Sequence, residues 1–233
     1  DVTMRTFKAL GAILNYPSAE LQAAIPEIQA CLVEEGVLSP AQIRALAPLL
    51  DRLGDADLLD LQEEWVALFD RSRRLGLHLH EHTFGESRDR GMAMVRLMQL
   101  YRLHGLELAK GEIPDYLPAF LEFLSLVPLA SARRMLADAV AILLILAERL
   151  EAKGSVYAPL LQALAALSDR SADSEELELL RREAPAEIDS LEALDRAYED
   201  APVEFTGSSV LQSCPDSADA AKASRATIQP SGA

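Results

Sequence analysis

Met135-Leu136-Ala137-Asp138-Ala139-Val140-Ala141-Ile142-Leu143-Leu144-Ile145-Leu146-Ala147-Glu148-Arg149-Leu150 is apolar on almost every side, with Asp138 as its one early interruption. A helix of that composition has no face suited to water, so the stretch predicts a central helix against which the others pack. Its apolar part is too short to cross a bilayer, which takes about 20 apolar residues, and Asp138 within it also favours a buried helix over a membrane span.

Working outward, helical periodicity recurs on both sides. After Leu150, Gly154 predicts a stop, and 156–167 makes one further helix. Before it, Pro114 and Pro118 flank a turn into Phe120-Leu121-Glu122-Phe123-Leu124. A fifth helix is expected from Gly85 to about Leu108, with Met94, Met98, Tyr101 and Gly105 along one side. The fourth, from about Asp57, sets Leu58, Leu61, Trp65, Leu68 and Phe69 on one core-facing stripe. At the start of the chain, 3–15 is helical until Pro17, and Ser18 caps a second helix carrying Leu21, Ile25, Ile28 and Leu32. Ser39-Pro40 then opens a third, with an N-cap followed by proline at the first helical position. No sustained alternation of period two marks a strand.

The predicted fold is therefore all α, a single-domain helical bundle. The 233 residues are half apolar, enough for one substantial core. The expected organisation is a helical domain over 1–170, an acidic, partly helical extension over 171–207 and a disordered tail over 208–233. From Asp173 to Glu204 there are twelve acidic and three basic residues, and the Ser/Ala-rich end has scarcely an aromatic.

The net charge of -15 makes nucleic acid a poor partner, because binding it needs clustered lysine and arginine to neutralise phosphates. A basic or neutral polypeptide fits better. The opening residues lack the cationic start and apolar stretch of a secretory signal, which predicts a cytoplasmic protein with no direct membrane insertion. Cys31 and Cys214 are far apart and form no CxxC pair.

The candidate metal ligands cluster in His78-Leu79-His80-Glu81-His82. In a helix His78 and His82 would share a face, but that supplies two ligands, and the position after the first histidine holds Leu79 instead of a general base. Ordinary hydrogen-bonding imidazoles are the alternative. No nucleophile elbow, P-loop or dinucleotide fingerprint is present, and nothing argues for catalysis. The segment Gly85-Glu86-Ser87-Arg88-Asp89-Arg90-Gly91 reads either as an ion-paired helix start or as the charged rim of a groove. The methionines that follow it read as core, or as the floor of a groove for an amphipathic helix.

Three strings carry a resemblance. Leu68-Phe69-Asp70-Arg71-Ser72-Arg73, then 77–82, then Gly85 to Val95 form the first block, and Ile113-Pro114-Asp115-Tyr116-Leu117-Pro118 running to Ser125 the second. The third is the opening from Phe7 to Pro17. Together they resemble the NarJ family, the molybdenum cofactor assembly chaperones (delta subunits) of respiratory nitrate reductase. Ile113 and Tyr116 depart from the pattern expected of many members.

The resemblance implies a non-catalytic chaperone of the redox-enzyme maturation type. Such a protein binds the N-terminal segment of the reductase catalytic (alpha) subunit and assists insertion of molybdopterin guanine dinucleotide before membrane docking, holding no cofactor stably itself. On that reading the peptide's apolar face meets Met94, Met98, Leu117 and Leu121. Its polar groups meet His78, Glu81, His82, Glu86, Arg88, Asp89, Arg90 and Asp115. Two rival readings are a helical interaction module unrelated to cofactor insertion and a metal-dependent enzyme built on His78 and His82.

Overall fold

The computed structural model describes residues 4–82, 88–108 and 111–182, and among them every regular element is helical. The order is α1 (Arg5–Leu14), α2 (Ala19–Glu34), α3 (Pro40–Asp55), α4 (Leu58–Trp65), α5 (Arg88–Leu103), α6 (Leu117–Ser125), α7 (Leu129–Ala137), α8 (Val140–Ala152), α9 (Ala158–Leu167) and α10 (Ser174–Arg182). Helix α8 is the centre: seven of its first eight residues are buried, and it packs along α9 and under α10. Helix α1 lies against α6 and α2, and α2 against α3.

Helix starts obey local chemistry where the sequence supplies it. The Ser18 hydroxyl accepts from the Leu21 amide at 3.2 Å. Ser39 and Gln42 form a reciprocal capping box, and the Asp57 carboxylate accepts from Leu59 and Asp60. Helix α1 has no such local cap. Its free amides are held from a distance by Glu35, at the end of α2, which accepts from the amides of Arg5 (2.9 Å) and Thr6 (2.7 Å) and from the Thr6 hydroxyl (2.7 Å). Partial burial alone would raise the Glu35 carboxyl, and the Thr6 and Arg5 hydrogen bonds outweigh it, so the group is held below its ordinary value. Glu35→Ala is expected to destabilise the fold by about 1–2 kcal/mol, with Glu35→Gln milder, as measured by urea unfolding. Because the folded value is lowered, this contribution is present above the ordinary carboxylate range and is lost as pH falls through the lowered value.

Helix ends are closed by side chains from elsewhere. Trp65 Nε1 donates to the Leu14 carbonyl at 2.9 Å, and Gln22 donates to the carbonyls of Leu53 and Ala56, both at 3.0 Å. Gly11 lets α1 approach α6 closely: a Cβ there would stand 3.0 Å from the Pro118 carbonyl oxygen and 3.2 Å from Leu121 Cβ.

Three expectations are corrected. The stretch from Met135 to Leu150 is two helices, α7 and α8, joined at Asp138 and Ala139 by i to i+3 bonds. The Asp138 carboxylate is exposed at this break. The fifth helix ends at Leu103, not Leu108, because Gly105 takes φ +77° and the Leu106 amide turns back to the Tyr101 carbonyl. Of the fourth-helix stripe, Leu61 and Phe69 are buried while Leu58, Trp65 and Leu68 are only half-buried. A wide π turn over Val66–Asp70 alters the phase there and brings the Phe69 ring edge-on to Tyr157, with centroids 5.1 Å apart. The tail over 208–233 and most of the acidic extension lie outside the described residues; α10 is the described helical part of that extension.

Candidate functional site

The site is assembled around a short crossing of two loops. Residues 71–78 leave the π turn and meet 113–116 in an antiparallel bridge between His78 and Tyr116, with Leu79 N–H to Asp115 O at 3.0 Å and Leu117 N–H to Leu77 O at 2.8 Å. A single 3-10 turn, Leu79–Glu81, follows. Tyr101 of α5 donates its hydroxyl to the Pro114 carbonyl at 2.7 Å, tying the second loop to the helix. Arg149 of α8 donates to the Arg74 carbonyl at 2.7 Å, tying the first.

Asp115 holds the crossing together. Its carboxylate is fully buried, accepts the His80 amide at 3.1 Å and faces Nδ1 of both His78 and His80 at 3.4 Å. Burial by itself would raise this carboxyl, and the hydrogen bonds from His78 and His80 reverse the sign, holding it well below the usual carboxylate range. His82 turns away and donates Nε2–H to the Gly76 carbonyl at 2.8 Å. Burial, only partly offset by that bond, pushes its imidazole down.

The helical geometry that would pair His78 with His82 on one face does not occur. His78 is extended, at φ -92° and ψ 106°, and the two rings serve different backbone neighbourhoods. Among the described residues no group of three or more His, Cys, Asp or Glu side chains is placed to hold a metal ion.

Beside this crossing lies a groove of about 410 Å³. One wall is the face of α5 formed by Ala93, Arg96, Leu97 and Leu100, spaced i, i+3, i+4 and i+7. The opposite wall is the α7–α8 corner, with Met135, Asp138, Ala139 and Ile142. Phe120 of α6 and the turn residues Leu79 and His80 complete it. The surface is an apolar floor with an imidazole, a guanidinium and a carboxylate among its lining groups. It suits an apolar ridge of about two helical turns, roughly 11 Å long.

The residues predicted from sequence fall differently. Leu117 and Leu121 are fully buried, Leu121 against Gly11 of α1, and neither lines the groove; Asp115 points inward to the histidines. Met94 and Met98 are half-buried on the neighbouring stripe of α5, and neither lines the groove. His78, Glu81 and His82 lie in the adjoining loop and turn without reaching the lining. Glu86 lies outside the described residues, as do the side chains of Arg88, Asp89 and Arg90. The groove lining includes Arg96 and Asp138, which the sequence reading placed in no site, and His80, read there as one imidazole of the histidine cluster; that reading favoured the methionines over the 93/97/100 stripe. The signal that was available is Asp138, a charge inside the most apolar run of the chain.

The comparisons with known proteins agree with this architecture. The family model for the nitrate reductase delta subunit matches residues 18–163. The nitrate reductase molybdenum cofactor assembly chaperone NarJ of Escherichia coli (strain K12) is 38% identical over 207 residues, 88% of this chain and 86% of that protein. A Bacillus subtilis (strain 168) protein described as a probable NarJ chaperone is 33% identical, over 69% of this chain and 86% of its own. In structure, the chain resembles a redox enzyme maturation protein from Archaeoglobus fulgidus with a TM-score of 0.50 and 24% identity, covering 70% of this chain and 91% of that one; that likeness bears on the fold alone. With the model matching well over half of the chain and curated relatives above 30% identity along most of it, the protein belongs to the nitrate reductase delta subunit family, that of the NarJ assembly chaperones.

Proposed function

We infer that this protein is a chaperone of nitrate reductase assembly that receives the N-terminal segment of the catalytic subunit in the groove between α5 and the α7–α8 corner. It is a binding protein and not an enzyme, in keeping with its family. It holds the apo-subunit while the molybdenum cofactor, taken here as molybdopterin guanine dinucleotide, is inserted, and it acts before that subunit docks at the membrane. It retains no cofactor itself. None of its described helices is long and apolar enough to cross a bilayer, and its proposed place of work is the cytoplasm.

The observation that carries this reading is the groove: an apolar floor, open to solvent, with its polar groups at hand and its walls fixed by α5, α6 and α8. Burying ~400 Å² of apolar surface there would contribute roughly 10 kcal/mol gross, much of it offset by ordering the guest segment. Micromolar or tighter binding is the expected result.

The test is a calorimetric titration of the full chain with a synthetic peptide of the first ~15 residues of the same organism's catalytic subunit, long enough for about four helical turns. Saturable one-to-one binding with a negative heat-capacity change, and no heat from a shuffled peptide, is expected. Absence of binding at two temperatures would sink the peptide-groove reading.

A further inference from the structure

Two oppositely charged side chains line the groove. Arg96 on α5 and Asp138 at the α7–α8 corner are both exposed and line opposite walls. Among the described residues neither side chain has a hydrogen bond or ion pair, and they do not pair with each other. Some exposed cations away from the groove are engaged, as Arg52 is with Glu64 at 2.7 Å and Arg181 with Glu148 at 2.7 Å. Asp138 also stands where the most apolar run of the chain breaks into two helices, and its carboxylate is exposed there.

We propose that Arg96 and Asp138 form a charge clamp that selects and orients the guest segment: a helix with an apolar ridge, a basic side chain on the flank facing Asp138 and an acidic side chain on the flank facing Arg96. This rests on the peptide-groove reading above and adds the chemistry of its specificity. The apolar floor accepts many ridges in either direction, since burial is non-directional. Two opposite charges on opposing walls are not symmetric. A guest entered in reverse places its basic flank against Arg96 and its acidic flank against Asp138, and both contacts become repulsive. The clamp therefore discriminates by penalising the wrong orientation as well as by favouring the right one.

The experiment uses the full chain and the 15-residue peptide described above, titrated against wild type, Arg96→Glu and Asp138→Lys at low and high salt. Each reversal is expected to weaken binding about tenfold near 50 mM salt, shrinking to about twofold near 500 mM as screening shortens the reach of both charges. A peptide with its basic residues replaced by glutamate should bind wild type poorly and regain affinity with Asp138→Lys, the coupling that a direct charge contact requires. If a thermal melt shows that Asp138→Lys is misfolded, Asp138→Asn serves in its place, with a loss of about threefold expected. Wild-type binding with both charge variants within twofold of it at low salt overturns the clamp and leaves the groove standing. Absence of peptide binding to wild type overturns both.

Discussion

Asp115→Ala is expected to lower the stability of the protein by about 3 kcal/mol, a fall of roughly 6–12 °C in the melting midpoint for a chain of this size. Two groups lose their acceptor at once, the His80 amide and Nδ1 of His78, and Nδ1 of His80 loses the carboxylate 3.4 Å away. The two His80 groups sit in the turn that follows the bridge with Tyr116, so the crossing of the two loops should loosen before the helices do. Hydrogen exchange at the His80 amide is the local readout, and urea unfolding the global one. Asp115→Asn keeps the shape and one acceptor and should cost less. The sign with pH is fixed by the direction of the shift. A carboxyl held below its unfolded value stabilises fully above that value, about 3.9, and loses its contribution as pH falls toward the lowered one. The gap between wild type and Asp115→Ala should thus be widest near neutrality and narrow below about pH 4. A gap that stays constant down to pH 2 would show that the carboxylate charge is not what holds the crossing.

The second large effect is on binding. Leu97→Asp places a carboxylate in the apolar floor of the groove and is expected to weaken the catalytic-subunit peptide about 100-fold. Leu97 is half-buried, so the accompanying loss of stability should be about 1–2 kcal/mol and the variant should remain folded. Val95→Asp is the control. Val95 lies on the same helix, 48% exposed and away from the groove lining, and its substitution should leave affinity within twofold. Equal affinities for the two variants in the same titration would remove the groove from consideration and return attention to the methionine stripe. Met98→Ala, on that stripe, should change affinity far less than Leu97→Asp.

The elements that the sequence located correctly are those whose causes are local. Ser18, Ser39-Pro40 and Asp57 each carry the chemistry of a helix start within three residues of where the helix begins; Ser18 and Ser39 cap as expected, and Asp57, read only as the place where the fourth helix starts, caps it too. Helices α2 and α3 run through Pro26 and Pro48, and the apolar phase of Leu21, Ile25, Ile28 and Leu32 was enough to read α2 across its proline, which lies on the exposed side. The family was legible for a related reason, since a motif is a string and needs no geometry to be read.

What periodicity could not supply is anything decided by a partner distant in sequence. The start of α1 depends on Glu35, and the end of α1 on Trp65. Asp115 was expected to meet polar groups of a bound peptide, but the fold turns it inward against two histidines 37 and 35 positions earlier. The sequence reading favoured the Met94 and Met98 stripe of α5 because methionines suggested an adaptable surface, while Ala93, Leu97 and Leu100 gain their meaning from what stands opposite them. Adjacent stripes on one helix differ only in rotation about its axis, and that rotation is set by packing against the rest of the molecule. By itself the sequence determined the all-helical class, most of the helix starts and the family, because propensity, capping and motif are properties of neighbouring residues. Only the tertiary structure decided where the apolar run breaks, which carboxylate is buried and which walls face each other across the groove, because those follow from burial and hydrogen bonding between segments far apart in the chain.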